Sequence, residues 1–189
     1  STRAFDVTRE PARKPSPCSI RAMALSATVR RFEIELADSD RGVYESFELR
    51  AAQHPSETDR YLVARVLARC LEHDEGVEFG RGVSADDEPA IWRRDLRGDL
   101  LAWIDVGSPS PERLHKASKT GARVAVYGWQ RVDELARAIE ERGVHRRDAL
   151  ELHELDVKAL DALVEHLDRT NRWSVAVSGV VPDREAASM

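Results

Sequence analysis

The residues best equipped for chemistry fall between Ser84 and Lys119. An acidic run, Asp86-Asp87-Glu88, is followed by the apolar stretch Leu100–Val106 with Asp105 embedded in it, then by a stretch carrying Arg113, Lys116 and Lys119. Carboxylates that converge on one point can hold a hard divalent cation, which takes oxygen ligands and keeps some of its waters. An ammonium beside them can hold or activate an attacking water and offset charge on a phosphate. This is the residue set of a magnesium-dependent phosphodiester hydrolase. Asp87, Glu88 and Asp105 would hold Mg²⁺, or Mn²⁺ in its place, and Lys116 would stand at the water.

Asp105 is the sharpest member of the set. A carboxylate within Trp103-Ile104-Asp105-Val106 is costly to bury unless a metal or a donor compensates it. The competing reading is a strand-end aspartate that caps the Gly107-Ser108 turn. For Asp86, Asp87 and Glu88 the competing reading is a solvated loop. Glu57 is expected in the first turn of a helix, where negative charge suits the dipole; its functional reading is an accessory ligand or orienting group. Lys116 and Lys119 are three apart on one expected helix, so their side chains project from similar faces, and Arg113 precedes them on it. With Arg94 they form a candidate phosphate approach, against the plainer reading of an exposed charged face. His54 is a lone loop histidine, and His115, His145, His153 and His166 show no metal-ligand spacing. No P-loop, GxGxxG, GxSxG or HExxH is present.

These residues must be carried by a chain of 189 residues, long enough for one domain with a core of its own. Net charge is −5, so a basic coat for nucleic acid is excluded while a local basic face is not. The two cysteines, Cys18 and Cys70, make no CxxC, and Cys70 falls in an apolar helical pattern that reads as core. A reducing, cytoplasmic setting is expected. No apolar run approaches the roughly 18 residues of a membrane span, and no membrane partner is expected. Residues 1–22, rich in Pro and Arg and without apolar periodicity, are expected to be a disordered leader or extraneous upstream segment; one domain is expected over 23–183 and a tail over 184–189.

Alternation predicts strands over Thr28–Ala37 and Val43–Ala51, paired as an antiparallel hairpin. Helical spacing of Leu62, Val63, Val66, Leu67, Cys70 and Leu71 predicts a helix over Ser56–His73, with Ser56 as N-cap. Strands follow at Val77–Val83, Pro89–Asp95 and Leu100–Val106. Ser110-Pro111-Glu112 starts a helix that ends near Lys119. A strand at Ala122–Gly128, a helix at Val132–Arg142, a strand at Ala149–Leu155, a helix at Val157–Leu167 and a strand at Arg172–Ser178 complete the reading. A mixed β-sheet flanked by helices is expected, in the α/β (α+β) class.

Several ordered blocks of this sequence resemble the YaeQ family of bacterial proteins. They are Met23-Ala24-Leu25, His54-Pro55-Ser56-Glu57-Thr58, Asp86-Asp87-Glu88-Pro89 with Trp92, Trp103-Ile104-Asp105-Val106-Gly107, and Arg113-Leu114-His115-Lys116-Ala117. The likeness runs from about Met23 to about Asp183. It implies a variant of the PD-(D/E)xK restriction-endonuclease-like fold, with an αβββαβ core, an N-terminal hairpin and C-terminal αβαβ additions. The elements read from Ser56 to Gly128 fall in that core order on their own. The resemblance would make Glu57 the helix glutamate before the central hairpin, Asp87 or Glu88 the second-strand acid, and Asp105 the acid of the (D/E)xK motif. The sequence departs from that motif at Gly107, where its lysine would stand, and Lys116 would supply the ammonium from the next helix. Glu88-Pro89 also reverses the usual proline-then-acid order. Two expectations follow: a metal-dependent nuclease-like phosphodiesterase acting on nucleic acid, or a catalytically inactive module on the same fold that binds nucleic acid or a protein partner through the Arg93–Lys119 surface. An enzyme on a small phosphorylated substrate is the weaker third.

Overall fold

In the computed structural model residues 4–9, 27–80 and 88–179 are described, the first of these stretches by its backbone alone. Asp86, Asp87 and Cys18 lie outside the described residues. The protein is α+β, with four helices and two mixed sheets among the described residues.

The first sheet contains β1 (Ala4–Arg9), β9 (Thr170–Ser178), β2 (Thr28–Asp38) and β3 (Val43–Gln53), in that spatial order. β2 and β3 form the expected hairpin, with Phe32 opposite Leu49. Their alternation sets the inner face. Phe32, Ile34 and Leu36 are buried, as are Trp173, Val175 and Val177 of β9, while Arg31, Glu35 and Arg172 face outward. β9 runs parallel to β2 and antiparallel to β1. The single mixed sheet expected from the sequence is therefore corrected to two. β9 carries one polar face, so it suits a sheet open to water on one side rather than one covered by helices on both. Ala4–Arg9, within the expected leader, pair along β9 from Ala4 opposite Ser178 to Arg9 opposite Trp173.

The second sheet has the order β4 (Val77–Phe79), β5 (Ile91–Arg94), β6 (Leu100–Val106), β7 (Arg123–Gly128), β8 (Leu150–Glu154). β4, β5 and β6 are antiparallel; β6, β7 and β8 are parallel, joined by crossovers through helices. Both faces of β6 and β7 are covered, which is why these strands read as near-continuous apolar runs. Ile104, Val106, Ala125 and Tyr127 face a core shared with α1 (Asp59–Leu71) and α4 (Val157–Glu165). Trp103, Val124 and Val126 face the opposite way, against Leu114 and Ala117 of α2 (Pro111–Ser118) and Leu135 and Ile139 of α3 (Val132–Glu141).

α1 is the centre of the molecule. Every residue from Leu62 to Leu71 is buried, Arg65 and Arg69 included, as expected for a helix packed on all sides. Its Cys70 thiol is fully enclosed, and burial pushes its pKa up to about 12. The N-cap is Thr58, whose hydroxyl accepts from the Tyr61 N–H at 3.2 Å. Ser56, expected in that role, instead lies 2.6 Å from His54 Nδ1. α2 begins as read, with Ser110 accepting from the Arg113 N–H and Pro111 in the first turn. None of the described helices is long and apolar enough to cross a membrane.

Candidate functional site

Asp105 sits one residue from the end of β6 and shares a face with Trp103, two residues earlier, so it points toward α2. It is 3% exposed. Three donors compensate that burial. The Trp103 indole Nε1–H donates to Oδ2 at 2.9 Å, Arg113 Nε–H to the same oxygen at 2.9 Å, and Arg113 Nη2–H to Oδ1 at 2.9 Å. This is a bidentate guanidinium–carboxylate fork, the strongest common pairing for a buried acid. The guanidinium also lies 5.6 Å from the Trp103 ring centroid, and its Nη2 donates to the main-chain oxygen of Glu88. The Ser110 cap and Pro111 fix where α2 starts, and so place Arg113 one turn in, over Asp105.

Glu57 is the second buried acid, 5% exposed. It precedes the Thr58 cap, so the expectation of a first-turn residue serving the dipole is corrected: its side chain turns inward. Oε1 accepts from Arg65 Nε at 3.0 Å, and Oε2 from Arg65 Nη2 at 3.1 Å and from the His54 N–H at 3.1 Å. Arg65 donates further to the Ala52 carbonyl at 2.7 Å, and its guanidinium stacks 5.1 Å from the Phe79 ring. Burial pushes the Glu57 carboxyl above the usual range, against the opposing pull of Arg65 and the His54 N–H.

The two acids are held separately. Ile104 and Val106 face the α1 core, which fixes Asp105 between them toward α2, while Glu57 is bound to Arg65 of α1 itself. Each therefore has its own guanidinium. Tyr61 is within electrostatic reach of both acids and packs edge-on to Trp129 at 6.2 Å. Burial raises its phenol pKa to about 12; Arg65 and Arg113 oppose the shift, and Asp105 and Glu57 add to it. Gly107, where the motif lysine would stand, has φ +87°, and a Cβ there would lie 3.5 Å from Trp129 Cη2 and 3.7 Å from Tyr61 Cε2. The backbone is one that L side chains rarely adopt, and the space beyond it is faced by two rings.

The remaining candidates lie around this pair. Lys116 and Lys119 are exposed, and neither ammonium has a hydrogen bond or ion pair among the described residues. Lys116 follows Arg113 by three residues and Glu112 by four, so it projects between them. Beside Lys116, α2 meets α3 and the turn after it: Glu112 is bound by Arg142, and His115 Nδ1 accepts from the His145 N–H at 3.2 Å. Trp92 is directly opposite Trp103 across the β5–β6 ladder, so it lies on the α2 face of the sheet. Arg94 covers the Trp92 ring at 4.4 Å and donates to the Gly98 carbonyl at 2.8 Å. Glu88 is half-buried, its main chain held by Arg113. Asp87, read as a ligand, is outside the described residues.

These residues do not fit a divalent cation as they stand. Three of the lone-pair directions of Asp105 are taken by Arg113 and Trp103, and a guanidinium at 2.9 Å would repel a second positive charge. Glu57 is spent on Arg65. No group of three or more His, Cys, Asp or Glu side chains able to hold a metal occurs among the described residues. Sequence reasoning missed Arg65, Tyr61 and the donor role of Trp103. Arg65 did leave a signal, a charge inside the otherwise apolar run Leu62–Leu71.

The comparisons with known proteins agree with one another. The family model for the YaeQ protein matches residues 23–181. The "Uncharacterized protein YaeQ" of Escherichia coli (strain K12) is 39% identical over 107 residues, and that of Salmonella typhi is 37% identical over 107 residues; the match covers 57% of this chain and 59% of each relative. The crystal structure of YaeQ protein from Xanthomonas axonopodis pv. citri aligns with TM-score 0.73 at 42% identity, covering 81% of this chain and 87% of that one. The YaeQ protein from Pseudomonas syringae aligns with TM-score 0.74 at 32% identity, covering 80% and 84%. The family match over residues 23–181, together with these relatives, shows that the chain belongs to the YaeQ family.

Proposed function

We propose that this chain is a nucleic-acid-binding module on a restriction-endonuclease-like core whose acidic centre is catalytically silent. The element order α1-β4-β5-β6-α2-β7 supports the core assignment. One observation carries the functional reading. Arg113 cancels the charge of Asp105, and Glu112, the one acid of α2, is bound on the α3 side by Arg142. Lys116 and Lys119 have no hydrogen bond or ion pair among the described residues, and the Trp92–Arg94 shelf lies on the face of the sheet that α2 covers. Cations next to an aromatic surface suit a phosphate backbone and its bases. The small size of this patch fits the acidic net charge of −5: binding is local and weak rather than a broad groove.

The test is oligonucleotide binding without metal, followed over a range of salt. Lys116→Gln and Lys119→Gln should each lower the slope of log K against log salt by about 1, with Glu75→Gln as a control. Unchanged slopes in both variants would remove α2 from the interface.

A magnesium-dependent phosphodiesterase is the second reading. It is favoured by Glu88, whose main chain Arg113 holds beside Asp105, because Asp87 immediately precedes it. It requires Arg113 to leave Asp105, and metal-dependent cleavage abolished by Asp105→Asn would establish it.

A further inference from the structure

The Nη2 nitrogen of Arg113 bonds two oxygens at once, Oδ1 of Asp105 and the main-chain oxygen of Glu88. A carboxylate oxygen and a carbonyl oxygen turned toward one point are what a hard cation takes as ligands. The second oxygen of Asp105 is held by Arg113 Nε and oriented by the Trp103 indole. We infer that Arg113 is a built-in cation occupying a divalent-metal position, and that replacing it with a neutral side chain turns the Asp105–Glu88 corner into a metal site. This deepens the silent-site reading and rests on it.

The physical argument is one of competition. A buried carboxylate needs a positive partner, and removing that partner leaves an uncompensated charge. The guanidinium is covalently attached to α2, whose cap and first-turn proline fix its position, so it needs no recruitment from solution. A free cation must both displace it and shed waters. With Arg113 gone, the same two oxygens remain and the charge of Asp105 has no guanidinium partner, so binding a cation also restores stability.

The experiment uses Mn²⁺ alone, without nucleic acid. Its readout is the indole N–H resonance of Trp103, assigned by its loss in Trp103→Phe, since that hydrogen bonds Asp105 directly. In the wild type, paramagnetic broadening of this resonance should be absent at concentrations that broaden it fully in Arg113→Ala, with apparent affinity at least about tenfold tighter in the variant. Mn²⁺ should raise the melting temperature of Arg113→Ala and leave Arg113→Ala/Asp105→Asn unchanged. If Arg113→Ala does not fold without metal, Arg113→Gln, which keeps an amide donor to Asp105, serves for the same comparison. Folded Arg113 variants with no Asp105-dependent broadening would overturn this inference alone and leave the silent-site reading standing. Broadening in the wild type that vanishes in Asp105→Asn would overturn both.

Discussion

Tyr61 faces Gly107: a Cβ built on that glycine would stand 3.7 Å from Tyr61 Cε2, with Trp129 on its other side at 3.5 Å. Those are ordinary van der Waals distances, so what disfavours a side chain at the position two after Asp105 is the φ of +87°. Gly107→Lys should destabilise the fold by about 1–3 kcal/mol, the cost of a strained left-handed residue, and should confer no metal-dependent cleavage. Gly107→Ala isolates the backbone cost and should account for most of it. Urea unfolding of both variants, with a plasmid-nicking assay on the lysine variant, checks this. A stable Gly107→Lys protein that cleaves would show that the lysine alone was missing.

The Glu57–Arg65 pair holds the mouth of α1 to the end of β3 through the Ala52 carbonyl. Both side chains are almost fully buried. Arg65→Met should cost about 3–5 kcal/mol because it strands the Glu57 carboxylate, whereas Arg65→Met combined with Glu57→Gln should cost less than the sum of the two. Chemical denaturation of the four proteins gives the coupling. Additive costs would mean that the two groups do not act as a pair.

Thr58, not the expected Ser56, caps α1, and stability measurements separate the two. Thr58→Ala should lose about 1 kcal/mol, as removal of an N-cap does; Ser56→Ala, whose hydroxyl meets only the exposed His54 ring, should stay within about 0.5 kcal/mol. A larger loss at Ser56 would return the cap to that residue.

How much could be read in advance follows from the range of each interaction. Asp105 was legible because a carboxylate in an apolar run violates the burial rule within a few residues, and the start of α2 was legible because Ser110-Pro111-Glu112 is a local signal. Arg113 was read as an outward cation for phosphate, because nothing in its neighbourhood tells that a helix placed after β6 folds its guanidinium back onto Asp105. Glu57 was misplaced by two residues of cap: once Thr58 caps α1, the glutamate lies outside the helix and is free to turn inward. The second sheet was missed because β9 is paired with β2 across most of the chain, and alternation gives a strand's faces, not its neighbours. Arg123 of β7 also pairs with Glu72 at 2.7 Å and with Glu151 at 2.6 Å, a cluster with no local trace, since the two carboxylates lie just past the C-terminal end of α1 and on β8.

That cluster sets a pH dependence. Hydrogen bonding from Arg123 holds the Glu151 carboxyl below the usual range, with burial opposing it. A folded-state value below the unfolded value of about 4.5 means the contribution to stability is present above that pH and is lost as pH falls through the depressed folded value. The stability gap between wild type and Glu151→Gln should therefore be widest near neutrality and narrow on acidification. Urea midpoints measured from neutral pH downward check it. A gap that does not change with pH would show that Glu151 contributes by packing and not by charge.

Whether the α2 face binds nucleic acid while its acid centre stays closed can be decided by one titration. Labelled single-stranded and double-stranded DNA and RNA are titrated with wild-type protein in EDTA and in Mg²⁺, with fluorescence anisotropy read for binding and the recovered strands checked for cleavage. Salt-sensitive binding, equal in the two buffers and with every strand intact, is expected. Binding or cleavage that requires Mg²⁺ and disappears in Asp105→Asn would contradict it.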